Sequence, residues 1–397
     1  MAKLSLGVFN TQPPHLYFGG VERRIIETSQ RLTDAVDTRV YSGTKAGFKT
    51  ATSLKGVSIV PCFSTDFVFP MDNWFFNRTL SHAVERISAE VFEVHTVSGY
   101  GFVKSLRNKC IRKPVVHTIH GVLADEYAQI LHSSFATFRS KLANFMMRQL
   151  AEKERETAEE ADLIVTVSRY SSEKAVELYE IDSSKMRIVP NGVDIKRFRP
   201  LGNLSEFKRQ IGVDDRPCVL FVGRLIPRKG LGYLIEAAKH VVKEFENTVF
   251  VIVGNGPLRG HLVNYIDRSD LSGNFVFLGD VNEEVLPLLY NCADVFVLPS
   301  IQEGQGIALL EAQSTAKPVV AFRVGGVPEA LLEGQSGLLG DPGSYELSQS
   351  LLRLLADSSL REGMGKRGRE FVAENFSWEV CTQKMFEVYG EAKSLFA

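Results

Sequence analysis

Two carboxylates stand eight positions apart, Glu303 and Glu311, in the run PSIQEGQGIALLEAQSTAKPVVA at residues 299–321. Gly304 and Gly306 follow the first of them closely, and an amphipathic stretch from Ile307 to Ala316 comes next. The pattern is a strand end, a glycine turn and the start of a helix of about three turns. Such a turn leaves backbone N–H groups without helical partners, and glycine lets a ligand approach them. Carboxylates beside free amides suit a polyhydroxylated ligand, whose hydroxyls both donate and accept. Acidic residues in a helix's first turn are also favoured by the helix dipole alone, so this run is ambiguous by itself.

The same half of the chain holds FVGRLIPRKG, residues 221–230, after the apolar run from Pro217 to Val222. A buried strand here empties into a glycine turn at Gly223. Arg224 and Lys229 lie five apart before a helix opens near Gly230. Fixed positive charge next to helix-start amides is what a phosphate group requires. Another glycine pair, Gly19-Gly20, precedes a helical pattern near the N-terminus, where backbone could approach a ligand as only glycine allows. Arg23 and Arg24, shortly after it, do not read as clearly functional, since adjacent arginines at a helix start are often only solvated. His120, in HTIHG at 117–121, follows an apolar strand and precedes a glycine. That places it at the C-terminal edge of a parallel sheet, where open α/β folds bind ligands. His117, three residues earlier, faces the other side of the sheet and reads as structural.

With these motifs in place, the chain resembles the retaining glycosyltransferases of family 4, which have the GT-B fold. The matching blocks are FGGVERRI (18–25), HTIHG, VTVSRYSSE (165–173), VPNGVD (189–194), VGRLIPRKG, VGNGP (253–257), FLGDV (277–281), the Glu303–Glu311 block and VGGVPEALLEGQSGLL (324–339). They run in family order over nearly the whole length, densely in the C-terminal half and as short islands in the N-terminal half. The resemblance implies two Rossmann-like parallel-sheet domains facing a central cleft. Residues 1–198 would bind the acceptor, 199–375 the nucleotide-sugar donor, and 376–397 would form a helix crossing back to the first domain.

It also implies roles for particular residues. His120, Arg224, Lys229 and Glu303 would be catalytic, with His120 facing the donor sugar and the two cations clamping the diphosphate. Donor contacts would come from Gly19, Gly20, Gly223, Asn255, Gly256, Phe277, Gly279, Gly304, Gln305, Gly306, Ile307 and Glu311. Among these, Glu311 would hold the ribose and the backbone of 277–279 the base. The donor would be a UDP- or GDP-sugar, used without a further cofactor. No Asp-x-Asp pair occurs in the chain, so the cations take the place a metal would otherwise fill. Relatives commonly have Phe where this chain has Gln305, and Gly where it has Lys317; the first departure leaves the choice of sugar open.

Other readings compete. VIVGNGPLRG (251–260) has a G-x-G-x-x-x-G spacing after a strand, with Asp280 arriving 26 residues beyond Gly254. This imitates a dinucleotide fingerprint, but it follows the second strand of its domain and not the first. A sugar phosphorylase, a sugar-nucleotide epimerase or a non-catalytic sugar-binding protein could share the fold.

The elements that must position these residues are legible as alternating strands and helices. Strands are expected at Leu4–Phe9, Arg39–Tyr41, Val57–Pro61, Val91–Val94, Val115–Ile119, Leu163–Val167 and Ile188–Val189. A second series is expected at Val219–Val222, Val249–Val253, Phe275–Leu278, Val295–Leu298 and Val319–Ala321. Asn191-Gly192 and Pro200 punctuate the linker between the two series, and the longest helix is expected over 133–158. With 397 residues and 44% hydrophobic content, the chain can bury two ordinary α/β cores. A net charge of −1 gives no reason to expect a nucleic-acid partner. The five cysteines are scattered, without a C-x-x-C pair, and Cys218, Cys292 and Cys381, in apolar surroundings, read as buried free thiols of a reducing cytoplasm. MAKLSLGVFN reads as a strand and not a signal peptide, and no apolar run approaches the roughly 20 residues of a membrane span. The expected location is cytoplasmic, at most peripheral at the inner face of the membrane. The helix carrying Arg139, Lys141, Arg148, Lys153 and Arg155 is a candidate for weak contact there. The aromatic run FSTDFVFPMDNWFFN (63–77) reads as core, or else as a patch for a glycan or lipid-linked acceptor.

Overall fold

The structure is a computed structural model that describes residues 3–17, 19–66, 70–131 and 138–396, with side chains undescribed at 129–131 and 138–144. Fourteen strands among the described residues form two sheets. The first contains β1 (Leu4–Asn10), β2 (Val36–Gly43), β3 (Thr52–Leu54), β4 (Val57–Cys62), β5 (Val91–His95), β6 (Val115–Ile119), β7 (Leu163–Thr166) and β8 (Met186–Ile188), in the order β3-β4-β2-β1-β5-β6-β7-β8. The second contains β9 (Cys218–Val222), β10 (Val249–Val253), β11 (Phe275–Gly279), β12 (Val295–Leu298), β13 (Val319–Phe322) and β14 (Gly337–Gly340), in the order β11-β10-β9-β12-β13-β14. Neighbours are parallel throughout except β3, which is antiparallel to β4. Runs such as Val249–Val253, every residue of which is buried, can lie only in a sheet covered on both faces.

Both sheets are doubly wound, and each reverses its strand order at one point. In the first sheet the reversal lies between β1 and β5; in the second it lies between β9 and β12. A crevice opens at such a point beyond the carboxyl ends of the strands. Gly19-Gly20 follows β1, Arg224 follows β9 and Glu303 follows β12, so the motifs stand at these two positions.

The chain divides into two compact units, one of residues 1–191 with 379–397 and one of residues 192–378. The sequence boundary at 198 differs from this division by a short segment that includes Val193 and Phe198. Both are buried in the core of the second unit. Phe376 and Trp378 go with that unit too, and Trp378 lies so close to Gly192 that an added Cβ there would sit 2.8 Å from its ring. Within the first unit, the C-terminal helix Trp378–Ser394 contributes Met385, Val388, Tyr389 and Ala392 to the core under β1 and β2.

Some expectations need correction. The stretch after Gly306 is a helix only over Ile307–Ser314, and residues 309–315 are all buried, so it is not an amphipathic surface helix. The helix Ser358–Asn375 encloses its outer side: Gly368 lies against Gln313, and Arg369 reaches the carbonyl of Ser314. The long helix expected from 133 spans Phe138–Glu160, residues 132–137 lying outside the described residues. β3 and β14 were not anticipated, because neither carries an apolar run long enough to show. Cys62, Cys218, Cys292 and Cys381 are buried free thiols, whereas Cys110 is exposed.

Candidate functional site

At the carboxyl edge of the second sheet, four loops knit together through their backbones. Gly223 N–H donates to Val253 O at 3.0 Å, Leu225 N–H to Asn255 O at 2.9 Å, and Gly254 N–H to Gly279 O at 2.7 Å. Ile301 N–H donates to Arg228 O at 2.9 Å, joining the loop after β9 to the loop after β12. The glycines make this possible: at Gly254 (φ 113°) a Cβ would lie 2.2 Å from Gly223 O, and at Gly256 a Cβ would lie 2.5 Å from Leu225 O. The G-x-G that imitated a dinucleotide fingerprint is therefore used to pack one loop on the next.

Glu303 is the electrostatic centre of this edge. Its side chain is 9% exposed, and it forms an ion pair with Lys229 through Oε1 and accepts from Arg228 Nη1 at 3.2 Å through Oε2. Burial pushes its carboxyl up, but the Lys229 and Arg228 charges together outweigh this and hold it below its ordinary value. Arg228 was not singled out from the sequence, which paired Arg224 with Lys229. The turn Pro227–Lys229 is a short 3₁₀ segment, and it delivers residues 228 and 229 together to one carboxylate. Arg224 instead is exposed and, among the described residues, has no side-chain partner. One ionised carboxylate, two paired cations and one exposed cation thus sit at a sheet's switch point.

The other expected positions of this unit lie along the same edge. Gly306 (φ 88°) precedes the helix Ile307–Ser314, whose start no side chain caps. Gly304 and Ile307 are half-buried and Gln305 is buried. Glu311 is 3% exposed, and one of its oxygens accepts from the Tyr290 hydroxyl at 2.7 Å. Asn255 is exposed and its side chain bonds the Gly256 N–H at 2.9 Å. Phe277 is half-buried beneath the Arg259 guanidinium, and Gly279 closes β11.

In the first unit, Gly19 and Gly20 are exposed at the start of the helix Gly20–Arg31. Phe18 lies outside the described residues. Arg24 is not a solvated charge, contrary to expectation. It is buried, and its Nη1 donates to Val189 O at 2.9 Å, to Pro190 O and to Asn191 Oδ1. His120 Nε2 and His95 Nδ1 stand 3.0 Å apart with their rings stacked. Glu93 lies behind His95, bonded by Thr118 Oγ1 at 2.6 Å and by the Tyr389 hydroxyl at 2.5 Å. Sequence reasoning missed this pair. The signal was present in VFEVH (91–95), where two polar residues recur at period two inside an otherwise apolar strand. Their side chains therefore share a face. His117 is buried on its own, its Nε2 bonded to Thr96 O at 2.7 Å.

The aromatic run divides. Phe76 is buried, whereas Phe63 and Trp74 are 59% and 46% exposed and Met71 is exposed as well; residues 67–69 lie outside the described residues. A shallow groove of about 430 Å³ beside them is lined by Phe63, Phe75, Arg78, His82 and Arg86. On the helix Phe138–Glu160, Lys153 pairs with Glu156, and Arg155 pairs with Glu152 and Glu159. The side chains of Arg139 and Lys141 lie outside the described residues. Among those described, no helix is long and apolar enough to cross a membrane.

Comparison with known proteins places this geometry. Residues 18–197 match the family described as Glycosyltransferase Family 4, and residues 205–371 match Glycosyl transferases group 1. The GDP-mannose-dependent alpha-(1-6)-phosphatidylinositol monomannoside mannosyltransferase of Mycolicibacterium smegmatis is 32% identical over 243 residues, 59% of this chain and 63% of the relative. The D-inositol 3-phosphate glycosyltransferase of Salinispora arenicola is 30% identical over 301 residues, 71% of this chain and 64% of the relative. The matched stretch thus spans just under two thirds of each relative's length. Sucrose-phosphate synthase from Thermosynechococcus elongatus superposes with a TM-score of 0.84 over 99% of this chain and 100% of that one, at 19% identity, which is a likeness of fold. Two doubly wound sheets with the family's motifs at their switch points, matched over both halves, make the chain a member of the family 4 glycosyltransferases, with the GT-B fold.

Proposed function

We propose that the protein transfers a hexosyl unit from a UDP- or GDP-sugar to a hydroxyl of a glycan or lipid-linked acceptor, with retention of anomeric configuration. The observation that carries this is the Glu303 cluster. A buried, ionised carboxylate and the helix-start amides behind it suit sugar hydroxyls. Lys229, Arg228 and Arg224 beside it suit a diphosphate leaving group. In the reaction the bond from the anomeric carbon to the phosphate oxygen breaks, and its electron pair goes to the diphosphate. The acceptor oxygen bonds to the anomeric carbon, and its proton passes to a phosphate oxygen on the same face. Cations and amides then stabilise the charge that grows on the departing diphosphate.

Residue roles follow the same reading. Glu303 with Gly304–Gly306 holds the sugar, Glu311 the ribose, the backbone of 277–279 the base, and His120 with Gly19-Gly20 completes the donor's surroundings. The second unit is the donor-binding part and the first the acceptor-binding part. The mannosyltransferase relative supports GDP-mannose as one donor to try. The half-exposed aromatic groove at Phe63 and Phe75 suits an apolar acceptor; contact with a membrane would be peripheral.

Purified protein incubated with a panel of nucleotide sugars, including UDP-glucose and GDP-mannose, should release nucleoside diphosphate from one of them. The same assay separates a phosphorylase or an epimerase, which would release none. Arg224→Ala and Lys229→Ala are each expected to cut turnover by about two to three orders of magnitude. Near wild-type transfer by the double variant would show the diphosphate clamp to be wrongly placed. Activity is expected to persist in excess chelator, since protein cations meet the leaving group; loss restored by magnesium or manganese would overturn that expectation.

A further inference from the structure

Glu93 and His95 on β5 share one face with Thr118 on β6, and His120, directly after β6, stacks on His95 at the carboxyl ends of these strands. Arg24, from the helix Gly20–Arg31, and Tyr389, from the C-terminal helix, cover that face. The burial is deep: Glu93 is 4% exposed, His95 2% and Arg24 2%. A guanidinium cannot shed its proton, so a buried Arg24 needs a buried negative partner, and Glu93 is the acid whose charge it feels. Burial pushes the Glu93 carboxyl above its ordinary value, and the hydroxyl donors Thr118 and Tyr389 together with the Arg24 charge act against that push.

The charge on Glu93 orders the rest. His95 Nε2 stands 3.4 Å from Glu93 Oε1, off the line of a direct hydrogen bond. A cavity of about 10 Å³ lined by Arg24, Ser29, Glu93, His95 and Tyr389 adjoins it, which is the size of one bridging water. Directly or through that water, an anion on this side selects the tautomer in which His95 Nε2 carries the proton. His95 Nδ1 is then a lone pair, and the nitrogen 3.0 Å away, His120 Nε2, must be the donor. By elimination His120 Nδ1 is unprotonated, and among the described residues it has no protein partner. We propose that Glu93 and His95 are positioning residues acting through His120: together they fix its tautomer so that it presents Nδ1 as a hydrogen-bond acceptor to a hydroxyl of the donor sugar. The inference rests on the reading that His120 faces the donor. The surroundings keep both rings neutral. Burial pushes both imidazoles well below their ordinary value, and Arg24 and His117 add in the same direction. Tyr389 gives the C-terminal helix a part in this arrangement, since it holds the carboxylate from which the order propagates.

The test uses the full chain with ¹⁵N-labelled histidine. At neutral pH, His95 and His120 are expected to be neutral with protonated Nε2, and His120 Nδ1 to be unprotonated. Glu93→Gln should shift both rings toward a tautomer mixture while leaving His117 unchanged. If that variant does not fold, Tyr389→Phe keeps the ring packing, removes one donor to Glu93, and should move the same two sets of resonances. A wild-type His120 protonated at Nδ1, or spectra unmoved in the folded variant, overturns the proposal.

Kinetics give a second reading through UDP release from UDP-glucose or GDP release from GDP-mannose. Glu93→Gln should lower kcat about tenfold with little change in donor KM. In a His120→Ala background, itself slower by about a hundredfold, the same change should cost less than about twofold. If His120→Ala turns over as fast as wild type, the placement of His120 at the donor is wrong and the relay falls with it. If His120→Ala is slow but Glu93→Gln costs the same factor in both backgrounds, the relay alone fails.

Discussion

Glu303 shows how one carboxylate can be held ready in a buried place. Its two partners supply two positive charges, so the cluster carries a net positive charge that an anionic ligand can use. On the proposed reading, a diphosphate competes with Glu303 for Lys229 and Arg228. Glu303→Gln is therefore expected to bind UDP or GDP severalfold more tightly by calorimetry. Its turnover should fall by about two orders of magnitude, since the sugar loses its charged acceptor. Weaker nucleotide binding in this variant would mean that the cations do not serve the diphosphate. His117 illustrates a different case, a buried imidazole bonded to the Thr96 carbonyl. Burial pushes its imidazole down to about 4, while the unfolded chain titrates near the ordinary value of 6.5. Above that value neither state binds the proton and the residue costs nothing. As pH falls from there toward 4 the unfolded state alone is protonated, and stability is lost. The contribution amounts to roughly 2 kcal/mol by pH 4.5. Comparing wild type with His117→Asn isolates it from the other buried groups: the wild type should lose about that much more stability between pH 7 and pH 4.5 than the variant loses. Equal losses in denaturant melts would show that His117 does not resist protonation.

At the scale of elements, the loops beyond β9, β10 and β12 act as one assembly because their backbones bond to each other. Gly254 is one of the close joints: any side chain there must both occupy a left-handed conformation and displace the Gly223 carbonyl. Gly254→Ala is expected to cost about 2–4 kcal/mol of stability in the second unit and to weaken nucleotide binding, by moving the loop that carries Arg224. A variant with wild-type melting and nucleotide affinity would show that the loops do not depend on one another. The helix Ile307–Ser314 belongs to the same logic. It is short and enclosed, so Glu311 is fixed by packing and by Tyr290 and does not move as a surface group would.

For the whole molecule, the distribution of the cores decides what can fold alone. The largest core draws only on residues between Val193 and Phe376, all in one unit. A fragment of residues 192–378 is therefore expected to fold cooperatively. The first unit is different, because its core includes Met385, Val388, Tyr389 and Ala392 from the chain's last helix. Residues 1–191 alone should lack a cooperative melt and regain one when 379–397 is fused or added. Independent folding of 1–191 would show that the returning helix is dispensable there.

What the sequence determined by itself was local. Alternating apolar runs and glycine turns gave two parallel α/β series, since a strand covered on both faces must be continuously apolar. Glycine turns at strand ends marked where a ligand would find backbone, so the Glu303 block and the loop at 223–230 were legible. Tertiary structure decided which charges meet. Arg228 and not Arg224 joins Lys229 on Glu303, because a 3₁₀ turn sets those directions and no spacing rule does. It also decided that Arg24 is buried and that Glu93 and His95 stand behind His120. Arg24 bonds groups 165 to 167 positions away, Glu93 meets Tyr389 across 296 and His95 meets His120 across 25, and these contacts exist only once β1, β5, β6 and the C-terminal helix are assembled.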